Sequence, residues 1–174
     1  REFFQCDADV VGSSSLVYDA ECLALDYAIM SALGAPEAVV RVNHRGALTV
    51  PAKYLGVAPD DRARLATVFR TLDKLADQGR ERVADLLVSE AGCEREKIST
   101  VFGYLDELAK ESDVKGKICL LDKAGIPEAS HAADQLNDVF QYARALGVPE
   151  ANLVLDLSIA RGLDYYTGTV YETF

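Results

Sequence analysis

The chain has 174 residues, of which 49% are hydrophobic and 26% are charged, as in an ordinary globular protein. A chain of this length can bury about 70% of its unfolded surface, which excludes bulk disorder, and no run of residues reaches the ~18 apolar positions that a membrane helix needs. The formal net charge of −10 argues against a uniformly basic surface that binds nucleic acid.

Residues 1–11 alternate in polarity and predict a β-strand. One face of this strand carries Phe4, Cys6, Ala8 and Val10, and the other carries Arg1, Phe3, Gln5, Asp7 and Asp9. An aromatic ring in a row with hydrogen-bonding groups is typical of the floor of a ligand site. The same N-terminal residues lack the pattern of a signal peptide and do not begin with Met, so we expect a cytoplasmic protein whose gene begins upstream of this sequence.

A helix is predicted over residues 16–33, where apolar residues recur at helical spacing between three serines and Gly34. Residues 38–42 predict a second strand. From residue 48 to residue 146 the helical period predicts about five helices. The expected breaks are at Pro51, Pro59, Gly79, Gly92, 125–127 and Gly147.

Residues 153–160 and 168–174 alternate in polarity again and predict an antiparallel pair of strands. Sheet segments at both ends, with a helical block between them, predict an α+β fold in which a helical insertion interrupts one sheet. The predicted division is a first core part at 1–47, a helical insertion at 48–150 and a second core part at 151–174.

Four cysteines without a C-x-x-C pair, and only two histidines, predict neither a disulfide framework nor a metal site. Because the cysteines have apolar neighbours, we expect each to be a small buried hydrophobe in a reducing compartment. His44 and His131 are both expected to have structural roles.

Two segments carry a resemblance to a known family. The segment from Arg161 to Glu172 reads R-G-L-D-Y-Y-T-G-T-V-Y-E and closely resembles the histidine-specific motif of histidyl-tRNA synthetases, R-G-L-D-Y-Y-T-G-x-V-[FY]-E. Residues 1–12 read R-E-F-F-Q-C-D-A-D-V-V-G and resemble the second strand of motif 2 of these class II synthetases. Both matches occur in the family's order, with a helical block between them.

The resemblance covers the whole chain and implies a central fragment of the catalytic domain, part of a class II antiparallel sheet. Motif 1, which forms the dimer, the acidic histidine-binding loop and the first half of motif 2 would precede it. The Gly-rich segment, motif 3 and the anticodon-binding domain would follow it. The implied activity is ATP-dependent formation of histidyl-adenylate and transfer of histidine to tRNA(His), with ATP used as its Mg complex and the full-length protein a homodimer.

The resemblance also assigns roles on the N-terminal strand. Phe3 would stack on adenine, Gln5 would hold the α-amino group of histidine, and Asp9 would accept from its imidazole. Many bacterial relatives have Glu at the position of Asp9. The Asp side chain is shorter, so it would have to reach the imidazole differently. Arg1 would contribute to ATP binding.

In the histidine-specific motif, Arg161 is the expected catalytic residue. Its guanidinium stays protonated and presents a planar fork of donors, so it suits the α-phosphate of ATP and the carboxylate of histidine as an electrostatic stabiliser. Tyr166, and less directly Tyr165, would close on the imidazole. Asp7 and Asp164 either orient these neighbours or are ordinary strand and turn acids.

The helical block resembles the family's insertion domain, which reaches toward the acceptor end of tRNA. Residues 51–110 carry ten basic and eleven acidic side chains, so they are closer to neutral than the rest of the chain. That composition permits tRNA contact, but a helical insertion that serves only stability explains it equally well.

A second hypothesis is the regulatory subunit of ATP phosphoribosyltransferase, a histidine-sensing paralogue that binds its ligand without catalysis. This paralogue generally has a reduced insertion, whereas about 100 residues separate the flanking strands here. The long helical block therefore favours the synthetase.

Overall fold

The structure is a computed structural model, and it describes residues 2–159 and 167–174. Its helices are α1 (Leu16–Ala32), α2 (Thr49–Tyr54), α3 (Arg62–Leu72), α4 (Leu75–Ala91), α5 (Arg95–Lys110), α6 (Val114–Lys123) and α7 (Pro127–Ala145). Its strands are β1 (Val40–His44), β2 (Leu153–Leu155) and β3 (Thr169–Thr173), and short 3₁₀ turns cover Arg45–Leu48 and Glu150–Asn152. The described residues thus combine a small mixed sheet with helices, and the α+β prediction is confirmed.

The sheet has the order β2-β1-β3, with β1 in the centre. β1 is parallel to β2, with Val40 opposite Leu153, and antiparallel to β3, with His44 opposite Thr169. The predicted antiparallel pairing of 153–160 with 168–174 is therefore wrong. Both strands instead pair with β1, a non-local partner that alternation of polarity cannot reveal.

Residues 156–159, the described second part of the predicted strand 153–160, do not form a strand either. Asp156 ends β2, because its carboxylate accepts hydrogen bonds from the Ser158 backbone N–H (3.0 Å) and hydroxyl (2.6 Å). This local turn competes with strand pairing, as Asp side chains commonly do. Only Leu153–Leu155 remains as strand.

The N-terminal segment differs from its prediction as well. Residues 2–11 form neither strand nor helix and are exposed, with Phe4 and Val11 almost fully accessible. Among the described residues, none of the three strands pairs with this segment. The sequence of this segment alternates in polarity, but a strand also requires a neighbouring strand to which its backbone can hydrogen-bond.

The helices follow the sequence more closely. α1 matches its prediction within one residue, Gly79 interrupts α4 with a φ of 75°, and Gly92 ends α4 in the left-handed region. Pro51, predicted as a break, instead lies in the first turn of α2, where a missing N–H costs nothing. Within the described part of the chain, no helix is long and apolar enough to cross a membrane.

Two apolar cores hold the described elements together. One joins the sheet to α1, α6 and α7, and the other joins α2, α3, α4 and α5. Tyr54 and Leu105 pack against both cores, and the Tyr54 ring meets Tyr104 edge-on at 5.5 Å. The domain bounds 1–47, 48–150 and 151–174 stay a prediction.

All four cysteines are free thiols. Cys93 is buried as expected, but Cys6 and Cys119 are exposed, so burial was wrongly predicted for these two. Cys6 lies on the unpaired N-terminal segment, which leaves its side chain without a neighbouring surface. Cys119 lies on α6 with its side chain directed away from the core.

Gly46 lies in the turn after β1, close to the backbone of α7. A Cβ at this position would lie 2.5 Å from the Glu128 carbonyl oxygen and 2.9 Å from the Cβ of Ala132. We expect Gly46→Ala to lower the free energy of unfolding by about 2 kcal/mol, since backbone must move to relieve the overlap. Urea unfolding of the chain measures this change.

Gly103→Ala is the matched control, because Gly103 lies in α5 and an added Cβ has no neighbour within 4 Å. There the substitution should stabilise the helix by up to about 1 kcal/mol. Equal midpoints for both variants would contradict the close approach at Gly46.

Candidate functional site

A cavity of about 470 Å³ lies where β1 ends, α1 begins and β3 begins. α7 contributes one residue to its wall, so four elements and the N-terminal segment meet here. The lining residues are Ala8, Asp9, Val10, Ser13, Ser14, Ser15, Leu16, Tyr18, Asp19, Cys22, His44, Gln135, Thr167, Gly168 and Thr169. Most of these side chains carry a hydrogen-bonding group.

The charged side chains in the described part of the cavity wall are acidic. Asp9 and Asp19 are its acidic residues, and no Lys or Arg occurs among the described lining residues. Burial raises the pKa of the Cys22 thiol, and the carboxylates of Asp19, Glu21 and Asp9 raise it further. A ligand in this cavity is therefore favoured if it presents a positive charge or N–H donors toward the acids.

His44 is the buried polar residue at the end of β1, with 4% of its surface exposed. Its Nδ1 accepts a hydrogen bond from the Gly46 backbone N–H at 3.0 Å and thereby caps the following turn. Burial lowers the pKa of His44, which keeps the ring neutral near pH 7. Because Nδ1 accepts, the proton of the neutral ring is on Nε2.

Two polar atoms of the cavity wall lack a hydrogen-bond partner among the described residues. They are Nε2 of His44 and Oγ1 of Thr169, and both are buried. Gln135 lies near enough to the His44 imidazole to raise its pKa, but it completes no hydrogen bond of normal geometry with Nε2. These neighbours form a polar cluster at one end of the cavity.

Asn43 precedes His44 and was not singled out from the sequence. Its side chain is fully buried and donates to the Ile159 carbonyl oxygen at 2.7 Å, and its Oδ1 accepts from the His44 backbone N–H at 2.7 Å. Asn43 thus attaches the end of β1 to the backbone that leads into the histidine-specific motif. A polar Asn directly after Val42, at the end of the predicted strand, was the available signal.

The structure places the predicted site residues in different surroundings. Asp9 lines the cavity together with the Thr167–Thr169 part of the histidine-specific motif. Phe3 and Gln5 lie on the exposed N-terminal segment and are not among the described lining residues.

The remaining predicted site residues are Arg1, Arg161, Tyr165 and Tyr166, and they lie outside the described residues, as does Asp164. In the part of the chain that the structure describes, no group of three or more His, Cys, Asp or Glu side chains is arranged to hold a metal ion. His131, on α7, is exposed and is not among the described lining residues of the cavity.

Comparison with known proteins identifies the family of this chain. The model of the family "Histidyl-tRNA synthetase" matches residues 1–174. The chain belongs to the histidyl-tRNA synthetase family. The resemblance found in the two sequence motifs is thereby confirmed.

Similar relatives are named as histidine–tRNA ligases. That of Gloeobacter violaceus is 38% identical over 99% of this chain and 36% of its own length, and that of Stenotrophomonas maltophilia is 41% identical over 99% and 38%. The chain thus spans little more than a third of the length of these relatives. Membership of a ligase family of aminoacyl-tRNA synthetases follows from these matches.

Solved structures agree with the fold. The histidyl-tRNA synthetase of Nostoc sp. PCC 7120 superposes with a TM-score of 0.81 at 28% identity, covering 92% of this chain and 37% of that one. A Bacillus halodurans protein described as an ATP phosphoribosyltransferase regulatory subunit/histidyl-tRNA synthetase superposes with a TM-score of 0.66 at 18% identity, covering 94% and 40%. At that identity the second match shows the fold alone.

Proposed function

We propose that this chain is the central part of an enzyme that activates histidine with ATP and transfers it to tRNA(His). The observation that carries the proposal is the acidic cavity, where Asp9 meets Thr167–Thr169. These residues belong to two separate family motifs that are about 150 positions apart in the sequence. Their meeting at one cavity is what a single substrate site requires.

In this proposal the acidic wall receives the cationic and N–H groups of histidine. Asp9 accepts from the imidazole, Gln5 holds the α-amino group, and Tyr166, with Tyr165, closes on the imidazole ring. A site built to hydrogen-bond the ring nitrogens rejects amino acids that lack them, because its buried polar groups would be left unpaired.

In this proposal Arg161 is the cation that stabilises the charge that builds on the α-phosphate and the substrate carboxylate. Phe3 and Arg1 hold ATP with it, Phe3 by stacking on adenine. Mg²⁺ enters on the phosphates of ATP, which suits a metal that keeps several waters and few protein ligands.

The helical segment 48–150 is proposed as the insertion domain that contacts the acceptor end of tRNA, and 1–47 and 151–174 as the two parts of the catalytic core. The complete protein is proposed to be a cytoplasmic homodimer. The regulatory-subunit alternative is not favoured, because the relatives that are 38–41% identical are named as ligases.

The acidic residue of the cavity provides the test. We expect Asp9→Asn in the complete synthetase to raise the KM for histidine about tenfold or more and to leave the KM for ATP within about twofold, since a neutral amide accepts a weaker hydrogen bond than a carboxylate. Histidine-dependent pyrophosphate exchange measures both constants. If both constants rise equally, Asp9 is a general structural acid.

A further inference from the structure

One buried amide joins the end of β1 to the backbone just before the histidine-specific motif. Asn43 is fully buried. Its Nδ2 donates to the Ile159 carbonyl oxygen and its Oδ1 accepts from the His44 backbone N–H, each at 2.7 Å. A backbone N–H only donates and a carbonyl oxygen only accepts, so these two partners fix which end of the amide faces Ile159.

The topology of the sheet gives this contact its importance. β2 ends and β3 begins at the same end of β1 but on its two opposite sides, so the chain between them passes from one side of β1 to the other. On the β2 side, the Asp156 backbone N–H donates to the Val42 carbonyl oxygen at 2.9 Å. On the β3 side, the Arg45 backbone N–H donates to the Gly168 carbonyl oxygen at 2.9 Å. Both described ends of this connection are therefore attached to β1 and to the turn that follows it.

Of these three attachments, the one to Ile159 is made by a side chain, and the other two join backbone to backbone. A substitution of Asn43 is therefore the direct way to loosen the connection while the backbone bonds remain. Arg161 follows Ile159 by two residues in the sequence. A shift of about 1 Å in a catalytic group can lower a rate by about 100-fold, so the position of this backbone has a large effect on the reaction.

We propose that Asn43 is a positioning residue for amino-acid activation, because its amide holds the backbone that precedes Arg161 in the place from which the guanidinium meets the reacting phosphate. The inference rests on the proposed function, in which Arg161 stabilises charge that builds in the transition state. Asn43 is not among the described lining residues of the cavity, and both ends of its amide are bonded to the protein. It acts on the reaction through the motif and not by contact with a substrate.

The experiment compares Asn43→Asp with Asn152→Asp in the complete synthetase. Asn152 is the matched control, because it is also buried and its Nδ2 donates at 2.9 Å to two backbone carbonyl oxygens, those of Pro36 and Ala38, before the other end of β1. Both substitutions place a carboxylate oxygen against a carbonyl oxygen in place of an N–H donor, so both should lower the thermal midpoint.

The two variants should differ in histidine-dependent pyrophosphate exchange. We expect Asn43→Asp to lower kcat about tenfold or more, with the KM values for histidine and ATP within about threefold, since the lost interaction matters most in the transition state. Asn152→Asp should keep kcat within about twofold of the wild type when each protein is assayed well below its thermal midpoint.

A double-mutant cycle tests whether Asn43 acts through Arg161. If it does, Asn43→Asp should lower the rate of the Arg161→Ala enzyme by less than about twofold, because the group that Asn43 positions is already gone. A merely structural defect would instead multiply with the loss of Arg161. Asn43→Ser is smaller and uncharged and retains a hydroxyl donor, so it provides the same cycle if Asn43→Asp does not fold.

The remaining outcomes separate the inference from the proposed function. If both Asp substitutions lower kcat equally, or if the effects of Asn43→Asp and Arg161→Ala multiply, Asn43 is structural and the inference is overturned. If Arg161→Ala lowers exchange but the Asn43 variants keep a normal kcat, the inference is overturned and the proposed function stands. If the wild-type protein shows no histidine-dependent exchange, the proposed function itself fails and the inference fails with it.

Discussion

Arg161→Ala in the complete synthetase is expected to lower the rate of histidine-dependent pyrophosphate exchange by a factor of about 100 or more. The reason is the loss of a fixed cation at the reacting phosphate, which is worth on the order of 3 kcal/mol in comparable sites. The guanidinium neither gives nor takes a proton, so the pH dependence of the residual rate should keep its shape.

Arg161→Lys is the informative companion variant. It retains the positive charge but loses the planar fork that binds two acceptors at once, so we expect an intermediate rate. The thermal midpoints of both variants should stay near that of the wild type. An Arg161→Ala enzyme with a near-normal exchange rate would show that the catalytic cation is elsewhere.

The second large effect concerns the 174-residue chain by itself. We expect no measurable adenylation above a blank without enzyme, although Gln5, Asp9, Arg161 and Tyr166 are all present. The chain spans about 36–38% of the length of its ligase relatives, and the family's remaining ATP-binding motifs would lie outside it. Groups that act as one constellation lose their activity together when part of it is removed.

Pyrophosphate exchange with the purified chain, histidine and Mg-ATP measures this prediction. Circular dichroism on the same sample is the control, since retained helical signal separates an incomplete site from an unfolded chain. Calorimetric titration with histidine measures whether the chain by itself binds the amino acid. Turnover well above the blank would mean that the missing motifs are dispensable and that the proposed site is wrongly placed.

Local patterns in the sequence were sufficient for the helices. α1 and α7 were predictable because apolar periodicity and the Gly or Pro residues at their ends act within a few residues. Pro51 shows the limit of this reasoning. A proline interrupts the interior of a helix but is accommodated in the first turn, where Pro51 lies in α2.

Strand pairing was less predictable because it depends on partners that are distant in sequence. β1 lies between β2 and β3, which are separated from it by more than 100 residues, and alternation of polarity does not encode that choice. The N-terminal segment kept the alternation of a strand but has no pairing neighbour among the described strands.

In the candidate site too, the residues within a sequence motif were predictable and the others were not. Asp9 was identified because it lies within a motif, and the cavity joins it to Thr167–Thr169 of the second motif. Gln135 belongs to no motif and lines the cavity because α7 packs on the sheet in one core, and Asn43 is linked to the segment before the second motif by its hydrogen bond to Ile159. Only the fold could place them there.

The most direct test of the central claim is amino-acid-dependent pyrophosphate exchange by the complete protein, with each of the twenty amino acids supplied separately with Mg-ATP. The account predicts exchange with histidine alone, followed by transfer of labelled histidine to tRNA(His). Exchange with a different amino acid, or tight histidine binding without any exchange, would contradict it.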